Sequence, residues 1–112
     1  MNVTTEERSG VKVAALEGAL GVAAALELRD LLDGLLEGPG AKVLLDLGAV
    51  TLIDSSGVGI LVTAHRLADS RGAAFALAAA PGPVGRVFEL TRTDKLLRIY
   101  ATVEDGLAAL AA

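Results

Sequence analysis

The chain of 112 residues contains no cysteine and no tryptophan, and only two phenylalanines and one tyrosine. The absence of cysteine excludes disulfides, thiolate metal sites and cysteine nucleophiles. So few aromatic side chains leave no stacking platform for single-stranded nucleic acid. The formal net charge of −4 also opposes binding to a phosphate backbone. We therefore expect no direct nucleic-acid partner.

Long uncharged runs are missing as well. No stretch reaches the roughly 18 apolar residues that a membrane-spanning helix needs. The first residues lack the basic and apolar regions of a secretory signal. These absences predict a soluble cytoplasmic protein without membrane attachment, and the short length favours a single domain over residues 1–112 and a monomer.

The hydrophobic residues, which make up 53% of the chain, form short strand patterns that alternate with helical stripes. Period-two alternation and short apolar runs predict strands at 3–7, 11–16, 42–47, 74–77 and 96–100. Repeats of three and four residues predict helices at 22–36, 56–70, 83–90 and 103–112. This order favours one α/β domain, with a mixed four- or five-stranded sheet and about four helices packed on it.

The turn residues divide these elements. Gly18 to Gly21 is expected to end the second strand, and the segment 38–40 ends the first helix. The run 42–47 is apolar at almost every position, which is typical of a strand covered on both faces. A short loop is expected to lead from this strand into the helix at 56–70.

This junction is the most informative segment of the chain. Asp54 precedes the helix and is placed to cap its free backbone N–H groups, and Ser55 and Ser56 fall in the first turn. Hydroxyls at an exposed helix start can be reached by another protein. A phosphate there adds about −1.5 to −2 charges, which the positive end of the helix dipole partly accommodates. The segment therefore predicts a protein that is modified and recognised and that performs no chemistry itself.

The residues of the junction also allow a second interpretation, in which the serines cap the helix and have no regulatory role. Gly57 and Gly59 each lower helix stability by roughly 1 kcal/mol relative to alanine. They either leave a flat surface for a partner's backbone or allow close packing against the sheet. Ser55 and Ser56 lie in one turn, so the pattern alone does not decide which of them is modified.

Other candidate sites have little support. His65, the only histidine, lies ten residues after Ser55, about 15 Å along a helix. We therefore discard serine–histidine catalysis and expect a solvated helix histidine without metal-binding partners. Asp46 has no companion acid or base and is assigned a turn or capping role. The sequence Gly-Val-Gly at 57–59 lacks the third glycine of a dinucleotide loop, and no lysine completes a P-loop. We expect no enzyme activity, catalytic residue, metal or cofactor.

Taken together, these residues resemble the single-domain bacterial anti-sigma factor antagonists, the simplest members of the STAS family. The matching positions extend over nearly the whole chain and are Leu16 to Gly18 with Leu20, Leu45 to Leu47, Ile53 to Gly59, Arg71 with Gly72, Pro83 to Thr91 and Leu96 to Tyr100. The resemblance implies a STAS fold with helices on one side of the sheet. It implies binding of an anti-sigma factor, so that a sigma factor is released to RNA polymerase in a stress response or in sporulation.

In that family the anti-sigma factor is often a serine kinase, which phosphorylates the serine directly after the aspartate. The resemblance assigns this position to Ser55. Phosphorylation disables the antagonist, and a PP2C-type phosphatase restores it. The partner-binding residues that the resemblance implies are Asp54, Ser56, Gly57, Val58, Gly59 and Gly21.

Gly21 departs from the family pattern. Family members commonly have an aspartate after the leucine of the early loop, close to the modified serine, whereas Gly21 follows Leu20 here. An acidic contact and a helix cap are therefore both missing. This departure supports an alternative function, a STAS adaptor in a signalling or transport complex without a phosphorylation cycle. Nucleotide or lipid binding by the domain itself has only fold-level analogy behind it.

Overall fold

The structure is a computed structural model that describes residues 1–111, and the last residue of the final predicted helix lies outside this range. Its regular elements are β1 (Asn2–Arg8), β2 (Val11–Leu20), α1 (Ala25–Leu35), β3 (Lys42–Ile53), α2 (Ser55–Arg71), β4 (Ala74–Ala78), α3 (Gly82–Leu90), β5 (Ile99–Tyr100) and α4 (Val103–Ala111). The strands form one sheet in the order β1-β2-β3-β4-β5. The first pair is antiparallel and the other three are parallel. The predicted mixed α/β fold is confirmed, with five strands.

The side chains of β3 alternate between two hydrophobic cores. Val43, Leu45 and Leu47 face a large core with the buried residues of α1, α2 and α3. Leu44 points to the opposite face, where it packs with Ala76 and with residues of α4. The prediction that this strand is covered on both faces is confirmed. The resemblance implied that all helices lie on one side of the sheet. This prediction is wrong, because α4 covers the apolar side chains of the second face.

The two central strands are longer than predicted. Gly18 does not end β2, which continues to Leu20 and pairs with the end of β3. The expected loop before α2 is also absent, because β3 runs to Ile53. Both extensions contain irregular pairing, with register shifts after Ala15 and after Gly18. Gly18 has a φ of +102°, a conformation that glycine adopts without steric cost.

The last strand is shorter than predicted. Only Ile99–Tyr100 pair with β4, and the preceding residues contain a 3₁₀ turn at Thr93–Lys95. Leu97 is buried in the large core, so its hydrophobicity reflects packing beneath this turn and not a strand. None of the helices among residues 1–111 is both long and apolar enough to cross a lipid bilayer.

Candidate functional site

The start of α2 is fixed by Asp54, which connects β3 directly to the helix. Its Oδ1 atom accepts hydrogen bonds from the backbone N–H groups of Ser56 at 2.9 Å and Gly57 at 3.2 Å. The backbone of Asp54 is extended, with φ −114° and ψ −175°. This geometry is that of an N-cap residue, whose side chain satisfies N–H groups that the helix itself leaves unpaired. The predicted capping role of Asp54 is confirmed.

The two glycines of the first turns have different surroundings. Gly57 is buried, and a Cβ at this position would collide with the carbonyl oxygen of Leu20 and lie 2.9 Å from Cγ1 of Ile53. A Cβ on Gly59 would meet no atom within 4 Å, and this residue is exposed. Of the two interpretations left open by the sequence, close packing therefore applies to Gly57. Gly59 leaves a flat exposed surface.

The serines also differ. Ser55 is the first residue of α2 and is exposed, whereas Ser56 is half-buried. Val58 is only 5% exposed and belongs to the large core. Residues four apart lie on the same side of a helix, so Gly59 extends the exposed surface that begins at Ser55. Ser55 and Gly59 are therefore open to contact from outside, whereas Gly57 and Val58 lie beneath this surface.

Gly21 lies beside Asp54, the residue directly before Ser55. A Cβ on Gly21 would lie 3.0 Å from Oδ2 of Asp54. The residue precedes a 3₁₀ turn at Val22–Ala24, which has no side-chain cap. Its φ is −112°, so the backbone does not require glycine. The absence of an early acidic side chain therefore leaves the Asp54 carboxylate uncovered on this side.

Large apolar side chains that the sequence pattern does not identify as a surface are exposed around this end of the sheet. Val22 is 76% exposed, Leu26 62% and Leu52 57%. Leu52 pairs with Ala19 across the ends of β3 and β2, and Val22 lines the same recess as Ala19. The helix predicted at 22–36 included Val22, but the structure places Val22 in the 3₁₀ turn before α1. Leu26 comes two residues before the buried Leu28 and so lies on the opposite side of α1, and this offset is the signal in the sequence.

Other predicted positions lie away from this site. The predicted turn or capping role of Asp46 is wrong, because Asp46 lies inside β3 and pairs with Ala15 and Ala78. Its Oδ1 accepts a hydrogen bond from the N–H of Gly48 at 2.9 Å, where the pairing of β3 with β2 becomes irregular. His65 is less solvated than expected: its side chain is 15% exposed and its Nε2 lies 3.6 Å from Oδ2 of Asp69. Within residues 1–111, no three His, Cys, Asp or Glu side chains are grouped closely enough to hold a metal ion.

Comparisons with known proteins identify a family and a fold. The family model described as "STAS domain" matches residues 2–106. A curated protein of Thermotoga neapolitana, provisionally named an anti-sigma factor antagonist, is 36% identical over 66 residues. That match spans 59% of this chain and 58% of the relative, which is less than two thirds of the relative's length.

Two solved structures resemble the whole chain. A provisionally named anti-sigma factor antagonist from Thermotoga maritima has a TM-score of 0.88 at 26% identity, covering 98% of this chain and 95% of that one. An anti-sigma factor antagonist from Mycobacterium paratuberculosis has a TM-score of 0.86 at 26% identity, covering 99% and 94%. The similarity therefore includes all five strands and four helices.

Proposed function

We propose that this chain, which belongs to the STAS domain family, binds an anti-sigma factor and is switched off by phosphorylation of Ser55. The observation that carries this proposal is the exposed position of Ser55 at the first residue of α2, directly after the capping Asp54. A surface hydroxyl in this position is accessible to a kinase. It also lies where a partner would rest on the helix start.

Exposure favours Ser55 over Ser56 as the modified residue. Ser56 is half-buried in the turn whose N–H groups point to Asp54. A kinase must bring the γ-phosphate of ATP in line with the attacking hydroxyl, which requires open space around that oxygen. Ser55 has this space, and Gly59 one turn later adds no side chain that would restrict it.

Phosphorylation at Ser55 is expected to change binding without unfolding the domain. Oδ1 of Asp54 already accepts the N–H groups of Ser56 and Gly57, so a phosphate faces outward. A kinase that modifies Ser55 holds nucleotide phosphates opposite this hydroxyl, and the phosphoserine then meets like charge. Two unit charges about 4 Å apart interact by roughly 4 kcal/mol at an effective dielectric near 20. Together with steric bulk, this is enough to weaken binding by about a hundredfold.

The partners follow from this switch. The anti-sigma factor is proposed to be a serine kinase, and a PP2C-type phosphatase is proposed to restore the binding form. The chain itself supplies the acceptor hydroxyl and the docking surface, which we define as Ser55, Gly59, Val22, Leu26 and Leu52. This role requires no catalytic residue and no cofactor, and it places the protein in the cytoplasm with its sigma factor.

A second candidate function rests on Gly21. If the missing acidic side chain prevents productive contact with a kinase, the domain is an adaptor in a signalling or transport complex that is never phosphorylated. Both functions use the same docking surface. They differ in whether Ser55 acquires a phosphate.

Incubation with each candidate anti-sigma kinase and ATP, followed by intact-mass and peptide analysis, separates the two. We expect one phosphate on the wild type, one on Ser56→Ala and none on Ser55→Ala. Ser55→Ala is expected to retain binding to the kinase. Binding of a kinase with no phosphate on Ser55 would support the adaptor function. A phosphate on Ser56 would show that the assignment of the switch to Ser55 is wrong.

A further inference from the structure

We infer that the recess beside Gly21 receives a positively charged side chain of the partner protein, which pairs with Asp54. This inference rests on the proposed function, because it takes the partner to be a protein bound at the start of α2. It adds the chemistry of the contact at Asp54 and gives a role to Gly21, the residue that departs from the family pattern.

The two oxygens of the Asp54 carboxylate have different surroundings. Oδ1 accepts the N–H groups of Ser56 and Gly57. Oδ2 accepts no hydrogen bond and forms no ion pair with any residue of the described chain. A Cβ at position 21 would lie 3.0 Å from Oδ2, so any side chain longer than glycine would crowd or cover it. Glycine leaves this oxygen open.

Asp54 lines a recess of about 420 Å³ together with Ala19, Gly21, Val22 and Glu27, and its Oδ2 is the oxygen on the Gly21 side. Small or apolar groups form most of the wall, and the ionised side chains along it are both carboxylates. Met1 also lines the recess. A half-buried carboxylate pairs most strongly with a charged donor, above all the forked guanidinium of arginine. Charge complementarity therefore selects a cationic group.

The flanking surface indicates that this group belongs to a protein. Val22 is 76% exposed and lines the recess, and Leu26, one turn further along, is 62% exposed. Exposed large apolar side chains beside a recess that contains a carboxylate are typical of a protein–protein contact. A free metal ion or small amine would leave these side chains in water. A partner segment with an arginine or lysine next to apolar residues would place its cation in the recess and cover Val22 and Leu26 at the same time.

The first test needs no partner. We would titrate ¹⁵N-labelled protein with N-acetyl-arginine amide and, as the uncharged control, N-acetyl-citrulline amide, and follow the backbone amide signals. Arginine is expected to shift the signals of Gly21, Val22 and Asp54, and citrulline is not. Because a hydrogen bond to a charged group is stronger than one between neutral groups, Asp54→Asn, which keeps an Oδ1 cap, is expected to weaken the response about tenfold or more.

Gly21→Ala is the steric variant, and Gly34→Ala is its matched control. A Cβ on Gly34, which lies in the last turn of α1, would meet no atom within 4 Å. Gly21→Ala should reduce the arginine response and Gly34→Ala should not. Equal responses to arginine and citrulline, an unchanged response in Asp54→Asn, or no shift at Gly21 would overturn the inference.

The second test uses the anti-sigma factor that binds the wild type. Gly21→Ala is expected to weaken this binding about tenfold, corresponding to roughly 1.4 kcal/mol, with Gly34→Ala unchanged. If the anti-sigma factor binds both variants equally, the recess contact is wrong and the proposed function stands. If arginine binds the recess but no anti-sigma factor binds the wild type, the proposed function is wrong and the recess remains a cation-binding surface.

Discussion

Gly57 of α2 packs directly against the main-chain carbonyl oxygen of Leu20 at the end of β2. The same carbonyl oxygen accepts a hydrogen bond from the N–H of Asp54 at 3.4 Å. One backbone oxygen therefore contacts both the helix cap and the first turn of the helix. Because Gly21 follows Leu20 in the chain, this contact brings the early loop next to Ser55.

The first prediction concerns the two glycines of this helix. Gly57→Ala is expected to lower the free energy of unfolding by about 1–3 kcal/mol, because overpacking forces the helix start away from the sheet. Gly59→Ala is expected to raise it by up to about 1 kcal/mol, since alanine favours the helix and the position is open. Urea denaturation followed by circular dichroism measures both. If the two variants changed stability equally, the close contact between Gly57 and Leu20 would be wrong.

The cap is tested by two variants of Asp54. Asp54→Ala removes the acceptor for the N–H groups of Ser56 and Gly57 and is expected to cost about 1 kcal/mol of stability. Asp54→Asn keeps an acceptor oxygen, and asparagine is as good an N-cap as aspartate, so its denaturation midpoint should stay near that of the wild type. A loss in Asp54→Asn as large as in Asp54→Ala would mean that the charge, and not the cap, stabilises the helix.

The end of α3 offers a stabilising substitution. Arg92 follows the C-cap residue Thr91 and has a φ of +60°, the left-handed conformation that glycine prefers after a helix. Arg92→Gly is expected to raise the thermal midpoint, with a gain of about 0.5–1 kcal/mol. Lys95→Gly is the control, because Lys95 is exposed and is not among the residues of positive φ. A midpoint that falls in both variants would contradict the predicted relief of strain.

Arg71 connects the ends of two helices. Its Nη1 donates to the carbonyl oxygens of Leu36 at 3.3 Å and Asp33 at 3.5 Å, which lie at the end of α1. Cations at a helix C-terminus also interact favourably with its dipole. Arg71→Ala is expected to lower the free energy of unfolding by about 1 kcal/mol, and the exposed Arg66→Ala should change it by less than about 0.5 kcal/mol. If Arg71→Ala and Arg66→Ala lowered the free energy of unfolding equally, Arg71 would have no capping role.

Much of the fold could be predicted from local patterns. The alternation of β2 and the stripe of α2 depend on residues close together in the chain. The cap at Asp54 and the start of the helix at Ser55 also follow from local chemistry. The α4 helix was predicted as an element, but its position on the second face was not. That position depends on Leu44, whose partners in α4 are distant in sequence.

The site was predictable only in part, for the same reason. Asp54 and Ser55 are recognisable from their order in the chain. The packing role of Gly57 depends on a carbonyl group 37 positions earlier, at Leu20, which no local pattern reveals. The extension of β3 to Ile53 was missed because pairing with β2 overrides the weak strand pattern after Gly48.

The most direct test of the proposed switch is the affinity of the anti-sigma factor for two forms of this protein. Calorimetry should compare unphosphorylated protein with protein that carries one phosphate on Ser55, confirmed by peptide mass. We expect the phosphorylated form to bind about a hundredfold more weakly, with an unchanged circular dichroism spectrum. Equal affinity of the two forms, with the phosphate verified on Ser55, would contradict the account.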